Sequence, residues 1–91
     1  MIDTLIRFQP GKFVVTIGAQ QVADNHVLLE LLRRHHAGDW GTVCDDDKKA
    51  NEWALKHGAR LLSAYDVNGE KLWVITEASR EQTTVLTPGE Y

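Results

Sequence analysis

The chain has one cysteine, Cys44, two prolines and no apolar stretch long enough to cross a bilayer. A lone cysteine excludes an intramolecular disulfide and any zinc site built on several thiolates, and it fits a reducing compartment. No window approaches the roughly 18 consecutive apolar residues of a membrane-spanning helix. The opening Met1-Ile2-Asp3 lacks the basic flank and apolar core of a signal peptide. A cytoplasmic protein without membrane association is therefore expected. Positive charge is also scarce: ten Lys and Arg stand against thirteen Asp and Glu, a formal net charge of −3. That balance gives no bulk attraction for nucleic acid, although Arg33-Arg34-His35-His36 form a contiguous basic stretch. Low-complexity tracts, linkers and internal repeats are missing too, so residues 1–91 read as a single domain.

The remaining composition supports a modest core. Apolar residues make up 43% of the 91, and a chain of this length buries about 64% of its unfolded surface. The strongest local signal is Asn68-Gly69, a pair that tolerates the positive φ a two-residue hairpin turn demands at both central positions. Centring the turn there pairs Val67 with Glu70, Asp66 with Lys71, Tyr65 with Leu72 and Ala64 with Trp73. Alternation then sets Leu61, Ser63, Tyr65, Leu72, Val74 and Thr76 on one face, and Leu62, Ala64, Trp73 and Ile75 on the other. Both faces are apolar, so the sheet needs two covers, or one cover and a partner chain. A third strand is expected at Thr83–Thr87, after a polar connection, 77–82, that suits one helical turn with Glu77 and Arg80 on one side.

Upstream, the apolar run Leu5-Ile6-Arg7-Phe8 stops at Gln9-Pro10-Gly11, and Lys12–Ile17 reads as an edge strand ended by Gly18. Ala19–Ala23 suits a weak helical turn. A helix from His26 to about Ala37, capped by Asp24 or Asn25, carries the stripe Leu28, Leu31, Leu32 and His35 and ends at Gly38. A further helix from Asp47 to Lys56 or His57 follows the acidic run Asp45-Asp46-Asp47, whose carboxylates suit its positive pole. Its inward stripe is expected to be Ala50, Trp53, Ala54 and His57, with Glu52 and Lys56 forming an i,i+4 pair outside.

Gly11 with Val15-Thr16 and Gly18-Ala19, Gly38-Asp39-Trp40-Gly41, Asn51, the run 60–65, Ile75-Thr76-Glu77 with Arg80 and Thr84, and the closing Pro88, Glu90 and Tyr91 together resemble a family of small bacterial proteins labelled plasmid-related, some of which carry the label of a type I restriction system subunit. The resemblance covers most of the chain from Phe8 onward. It departs at Ser79, where the family resembles an acidic residue, and at Cys44. It implies an association with mobile elements, and through it an accessory or anti-defence protein that binds a host component. No catalytic residue comes with it.

Four groups of residues invite a functional reading. Asn51, Tyr65, Glu77 and Arg80 are polar residues between apolar elements, suited to holding a polar ligand or to clamping the loop at Arg80. His35, His36, Cys44 and His57 offer metal-ligand types, but their spacing fits no zinc pattern, so no metal and no cofactor are expected. Arg33 to His36 with Lys48 and Lys49 could meet a phosphate, against which the carboxylates of Asp45, Asp46 and Asp47 weigh. Trp40 and Trp73 are the aromatics free to anchor an interface, with Asp45 to Asp47 as an acidic surface, whereas Trp53 belongs to the core. The sequence thus leads to an α+β fold, an antiparallel sheet of three to four strands with two main helices packed across it. The expected role is a non-catalytic protein-interaction module, binding a protein partner or a second copy. The alternative is a small ribonuclease-like toxin or nucleic-acid-binding protein, which needs Arg80, His57 and a basic residue to converge.

Overall fold

A computed structural model describes residues 7–91; the run expected from Leu5 and the N-terminal segment therefore fall partly or wholly outside the described residues. Among these residues four strands, β1 (Lys12–Val15), β2 (Leu61–Val67), β3 (Glu70–Thr76) and β4 (Gln82–Leu86), form one sheet in the order β1-β4-β3-β2. Three helices, α1 (Ile17–Val22), α2 (Asn25–His36) and α3 (Asp45–His57), and a 3-10 turn at Pro88–Glu90 complete an α+β fold.

The hairpin forms in the register that its turn dictates. Asn68 and Gly69 both have positive φ, 52° and 78°, and Tyr65 faces Leu72 while Ala64 faces Trp73. Asp66 and Lys71 make the cross-strand ion pair at 2.8 Å. β4 adds antiparallel to β3, and β1 closes the far edge parallel to β4, so the sheet is mixed rather than wholly antiparallel. The parallel pairing follows from the route of the chain: β1 leads into α1 and α2, which carry it over the sheet before β2 begins. β1 stops at Val15 because Thr16 leaves the strand to cap α1, its hydroxyl accepting from Ala19 N–H. Gly18 is thus inside a helix and does not end the strand.

Every residue assigned to the first sheet face is sealed: Leu61, Ser63, Tyr65, Leu72, Val74 and Thr76, with Thr83 and Val85 of β4, are at most 1% exposed. Ala19 and Ala23 at α1, and Leu28, Leu31 and Leu32 of α2, pack on this face. Asp24 caps α2 by accepting from Val27 N–H. The second face is different. Ala64, Ile75 and Leu86 are buried there but belong to neither of the two core clusters, and Leu62, Trp73 and Thr84 are half-buried. Its cover is the C-terminal turn, which sets Tyr91 edge-on against Trp73 with ring centres 5.7 Å apart.

α3 lies along the β2 edge, Ala54 against Leu61 and Trp40. It begins at Asp45 with Cys44 at the N-cap, whose side chain makes no capping bond. The three aspartates fill its first turn and complement the helix pole, as their position in the sequence suggests. Its inward residues are Asn51 and Ala54, with Leu55 half-buried, whereas Ala50, Trp53 and His57 face outward and Trp53 is 57% exposed. The expected stripe is therefore rotated out of the core. The bonds that Asn51 makes to β2, described below, set the rotation of the helix, and the small Ala54 allows its close approach. Glu52 likewise turns from Lys56 to a bidentate pair with Arg7, at 2.8 and 3.0 Å.

Before α3, Gly41 runs beside β2 in an isolated parallel bridge to Ala64. It has φ +74°, and a Cβ there would lie 1.9 Å from the Ala64 carbonyl oxygen. Gly58, the αL cap of α3, has φ +70° and nothing within 4 Å of such a Cβ. The two glycines separate backbone strain from close approach. Gly58→Ala is expected to cost about 1–2 kcal/mol. Gly41→Ala should cost more, above about 3 kcal/mol, because the clash with the strand adds to the same penalty. Urea unfolding of the two variants measures the difference, and equal losses would contradict the close approach.

Candidate functional site

A connected group of polar side chains lies inside this molecule. His35, on the inward stripe of α2, is fully buried and meets Ser63 of β2 through Nδ1 at 2.6 Å and Thr76 of β3 through Nε2 at 2.9 Å. Thr76 Oγ1 lies 2.7 Å from Thr83 Oγ1 of β4, and the Thr83 hydroxyl donates to the Pro10 carbonyl at 2.7 Å. Counting protons gives the chain a direction. Thr83 uses its proton on Pro10, so Thr76 must donate to Thr83, and His35 Nε2–H must donate to Thr76. Nδ1 is then the acceptor for the Ser63 hydroxyl. A single neutral tautomer satisfies every member of the chain.

That arrangement pairs a serine with an imidazole at hydrogen-bonding distance, the beginning of a nucleophile and base. Here both are sealed at 0% exposure, and a threonine stands where a carboxylate would orient the ring. No cavity opens onto them among the described residues. The pair instead fastens α2 to three strands and to the segment that enters β1. Burial first, then the charges of His36 and Arg80, push the His35 pKa down to about 3. Neighbouring His36 is also lowered by burial. Its Nε2 is buried without a partner among the described residues, the ring held between Phe8, edge-on at 5.4 Å, and Phe13, stacked at 5.4 Å.

The polar residues singled out from the sequence do not share one site; each has partners of its own. Asn51 acts as an extra strand residue for the β2 edge: its Nδ2 donates to the Leu62 carbonyl at 2.7 Å and its Oδ1 accepts from Leu62 N–H at 3.1 Å. Two residues on, Ala64 N–H donates to the Trp40 carbonyl and the Ala64 carbonyl accepts from Thr42 N–H. Tyr65, its pKa pushed up to about 12 chiefly by burial, donates to the Asp39 carbonyl at 2.5 Å. Arg80 has φ +63° and threads its guanidinium into backbone carbonyls, donating to Ala59 at 2.7 Å, Ala54 at 3.1 Å and Glu77 at 3.1 Å. It thereby ties the end of α3 to the turn after β3, a turn closed by Arg80 N–H on the Glu77 carbonyl rather than by a helical turn. The Glu77 carboxylate makes no ion pair among the described residues.

The other groups separate in the same way. Trp40 is 5% exposed, stacks on Phe8, and donates Nε1–H to Glu52 at 3.0 Å, which withdraws it from the surface. Arg33 pairs with Glu30, Arg34 with Asp39, and His35 and His36 are buried, so the basic stretch is neutralised or covered. Asp45, Asp46 and Asp47 remain exposed. Among the described residues no group of three or more His, Cys, Asp or Glu side chains is placed to hold a metal.

Two constellations escaped the sequence reading. For the His35 chain the signal was present, since His35, Ser63 and Thr76 all occupy inward positions of their elements. The other is Glu90. Its carboxylate accepts from the Thr16 hydroxyl at 2.6 Å, Gly18 N–H at 3.0 Å and Thr87 N–H at 2.9 Å, which hold its pKa down to about 2. The pattern Thr87-Pro88-Gly89-Glu90 is a capping box that could have been read from the spacing.

Stability should follow the His35 chain in pH. Unfolded, His35 takes up a proton near 6.5; folded, it stays neutral to about 3. Between those values the unfolded chain holds a proton that the fold refuses, so stability is complete above pH 6.5 and falls as pH drops toward 3. Over the whole window the loss is on the order of 5 kcal/mol. His35→Gln should lower stability at pH 7 by about 2–4 kcal/mol through unsatisfied hydroxyls and flatten the slope between pH 6.5 and 4.5. Urea titrations across that range check it, and an unchanged slope would assign the acid loss to other groups. Asn51→Ala should cost about 2 kcal/mol by orphaning both Leu62 backbone groups, with Asn51→Asp recovering only the acceptor; amide exchange at Leu62 reports which bond is lost.

No family model, curated protein or solved structure matches this chain.

Proposed function

We propose that this chain is a non-catalytic protein-interaction module that binds a protein partner through the second face of its sheet. The observation that carries the reading is that half-buried Val14, Leu62, Trp73 and Thr84 lie on this face among buried Ala64, Ile75 and Leu86, all outside both core clusters. Leu62, Ile75, Thr84 and Val14 are successive cross-strand neighbours, and Ala64, Trp73 and Leu86 form the next row. Half-buried Trp73 with Tyr91, and Arg60 5.4 Å from the Tyr91 ring centre, give that face the aromatic and arginine content of interface hot spots. The occupant is an apolar protein surface with carboxylates at its rim, because Arg60 and Lys12 border these residues. The resemblance to plasmid-related proteins suggests where to look: a cytoplasmic host component met by a mobile element.

The ribonuclease-like alternative loses the convergence it requires. Arg80 is spent on carbonyls, and His57 stacks outward on Trp53 with centroids 4.2 Å apart. A nucleic-acid partner is disfavoured by the net charge of −3 and by the paired state of Arg33 and Arg34. A photo-crosslinking residue placed at position 73, compared in host cells with one at position 33, tests the reading. Discrete protein adducts are expected from position 73 and not from 33; equal yields, or adducts to RNA alone, would overturn it.

A further inference from the structure

From the outward face of α3 we infer that this helix pairs antiparallel with α3 of a second copy of the chain. The inference stands apart from the sheet-face reading, since it uses a different surface. Asp46, Ala50, Trp53 and His57 are all exposed, and they recur at intervals of four, three and four. That is the a/d seam of a helix pair, on a helix whose other side is already committed to β2 through Asn51 and Ala54.

The seam is self-complementary when one helix is reversed. A two-fold axis midway between Ala50 and Trp53 sets Trp53 of each copy over Ala50 of the other, a large side chain into the space left by a small one. The same operation sets Asp46 of each copy against His57 of the other. The acidic first turn of each helix then meets the end of its partner that carries Lys56 and His57, which also aligns opposite helix poles. Lys49 is the one like-charged neighbour of Lys56 across this seam, and both are exposed to solvent screening. Parallel pairing would instead stack like residues on like, tryptophan on tryptophan and aspartate on aspartate.

Trp53 is ordered in advance of any partner. Its ring stacks on His57 at an interplanar angle of 18°, and His57 Nδ1 donates to the Trp53 carbonyl at 2.8 Å. The anchor therefore loses little rotamer freedom on association. A 13-residue helix is about 20 Å long, so one helix pair buries less than the ~1,600 Å² of a standard interface. The dimer belongs to the weak, reversible class, with a dissociation constant on the order of micromolar or above.

Sedimentation equilibrium from about 5 to 500 μM, at a stated salt concentration, provides the test. A monomer–dimer equilibrium is expected, weakened at least about 30-fold by Trp53→Glu. This variant keeps its fold by circular dichroism because Trp53 is outside the core, and Trp73→Glu leaves the dimer intact. Asp46→Lys should weaken the dimer and the double variant Asp46→Lys with His57→Glu should restore it, since in the reversed pair each new lysine meets a new glutamate. A monomer throughout the range, a dimer insensitive to Trp53→Glu, a dimer lost with Trp73→Glu, or no recovery in the double variant would each overturn the inference.

Discussion

The fold depends on one buried interaction, the imidazole of His35 bonded on both sides by hydroxyls from β2 and β3. A polar ring at the centre of an apolar layer is tolerable only if each of its nitrogens is satisfied. Here the satisfaction is directional, because the terminal proton is used on the Pro10 carbonyl and every earlier donor is thereby fixed. Shifting the register of β3 against β4 by one residue would remove Thr83 from Thr76 and leave the whole sequence of donors incomplete. The polar chain therefore specifies alignment as well as adhesion.

Around that centre the molecule disposes of its loose backbone groups in similar ways. The β2 edge, which would otherwise offer a template for another strand, is covered by the amide of Asn51 and by the main chain at Trp40 and Thr42. The end of α3 delivers carbonyls to Arg80, and the start of α1 is reached by Glu90 from the far end of the described chain. Each of these side chains has the appearance of a functional group when read alone. Each is consumed by a backbone need, which leaves aromatic and apolar surface as the material from which binding can be built.

Two parts of that surface have different origins. On the second sheet face it arises because two helices can cover only one side of four strands. On α3 it arises because the helix is rotated to serve β2, so the side chains with the most apolar area turn outward. Each of these two surfaces carries one exposed aromatic anchor, Tyr91 on the sheet face and Trp53 on α3.

By itself the sequence determined what local geometry can decide. The Asn68-Gly69 turn fixed the hairpin register and hence both faces of β2 and β3, because positive φ at two adjacent residues admits few alternatives. The stripe of α2 was likewise legible, and its cap was narrowed to Asp24 or Asn25, since periodicity and capping are properties of a short window. Only the tertiary structure decided that β1 joins in parallel, that Trp40 is buried while Trp53 is exposed, and that Arg80 and Asn51 serve backbone partners. The physical reason is common to all of these. A weakly amphipathic helix such as α3 takes its rotation, and a polar side chain its partner, from hydrogen-bonding groups that arrive from distant parts of the chain, and no local pattern encodes where those groups will be.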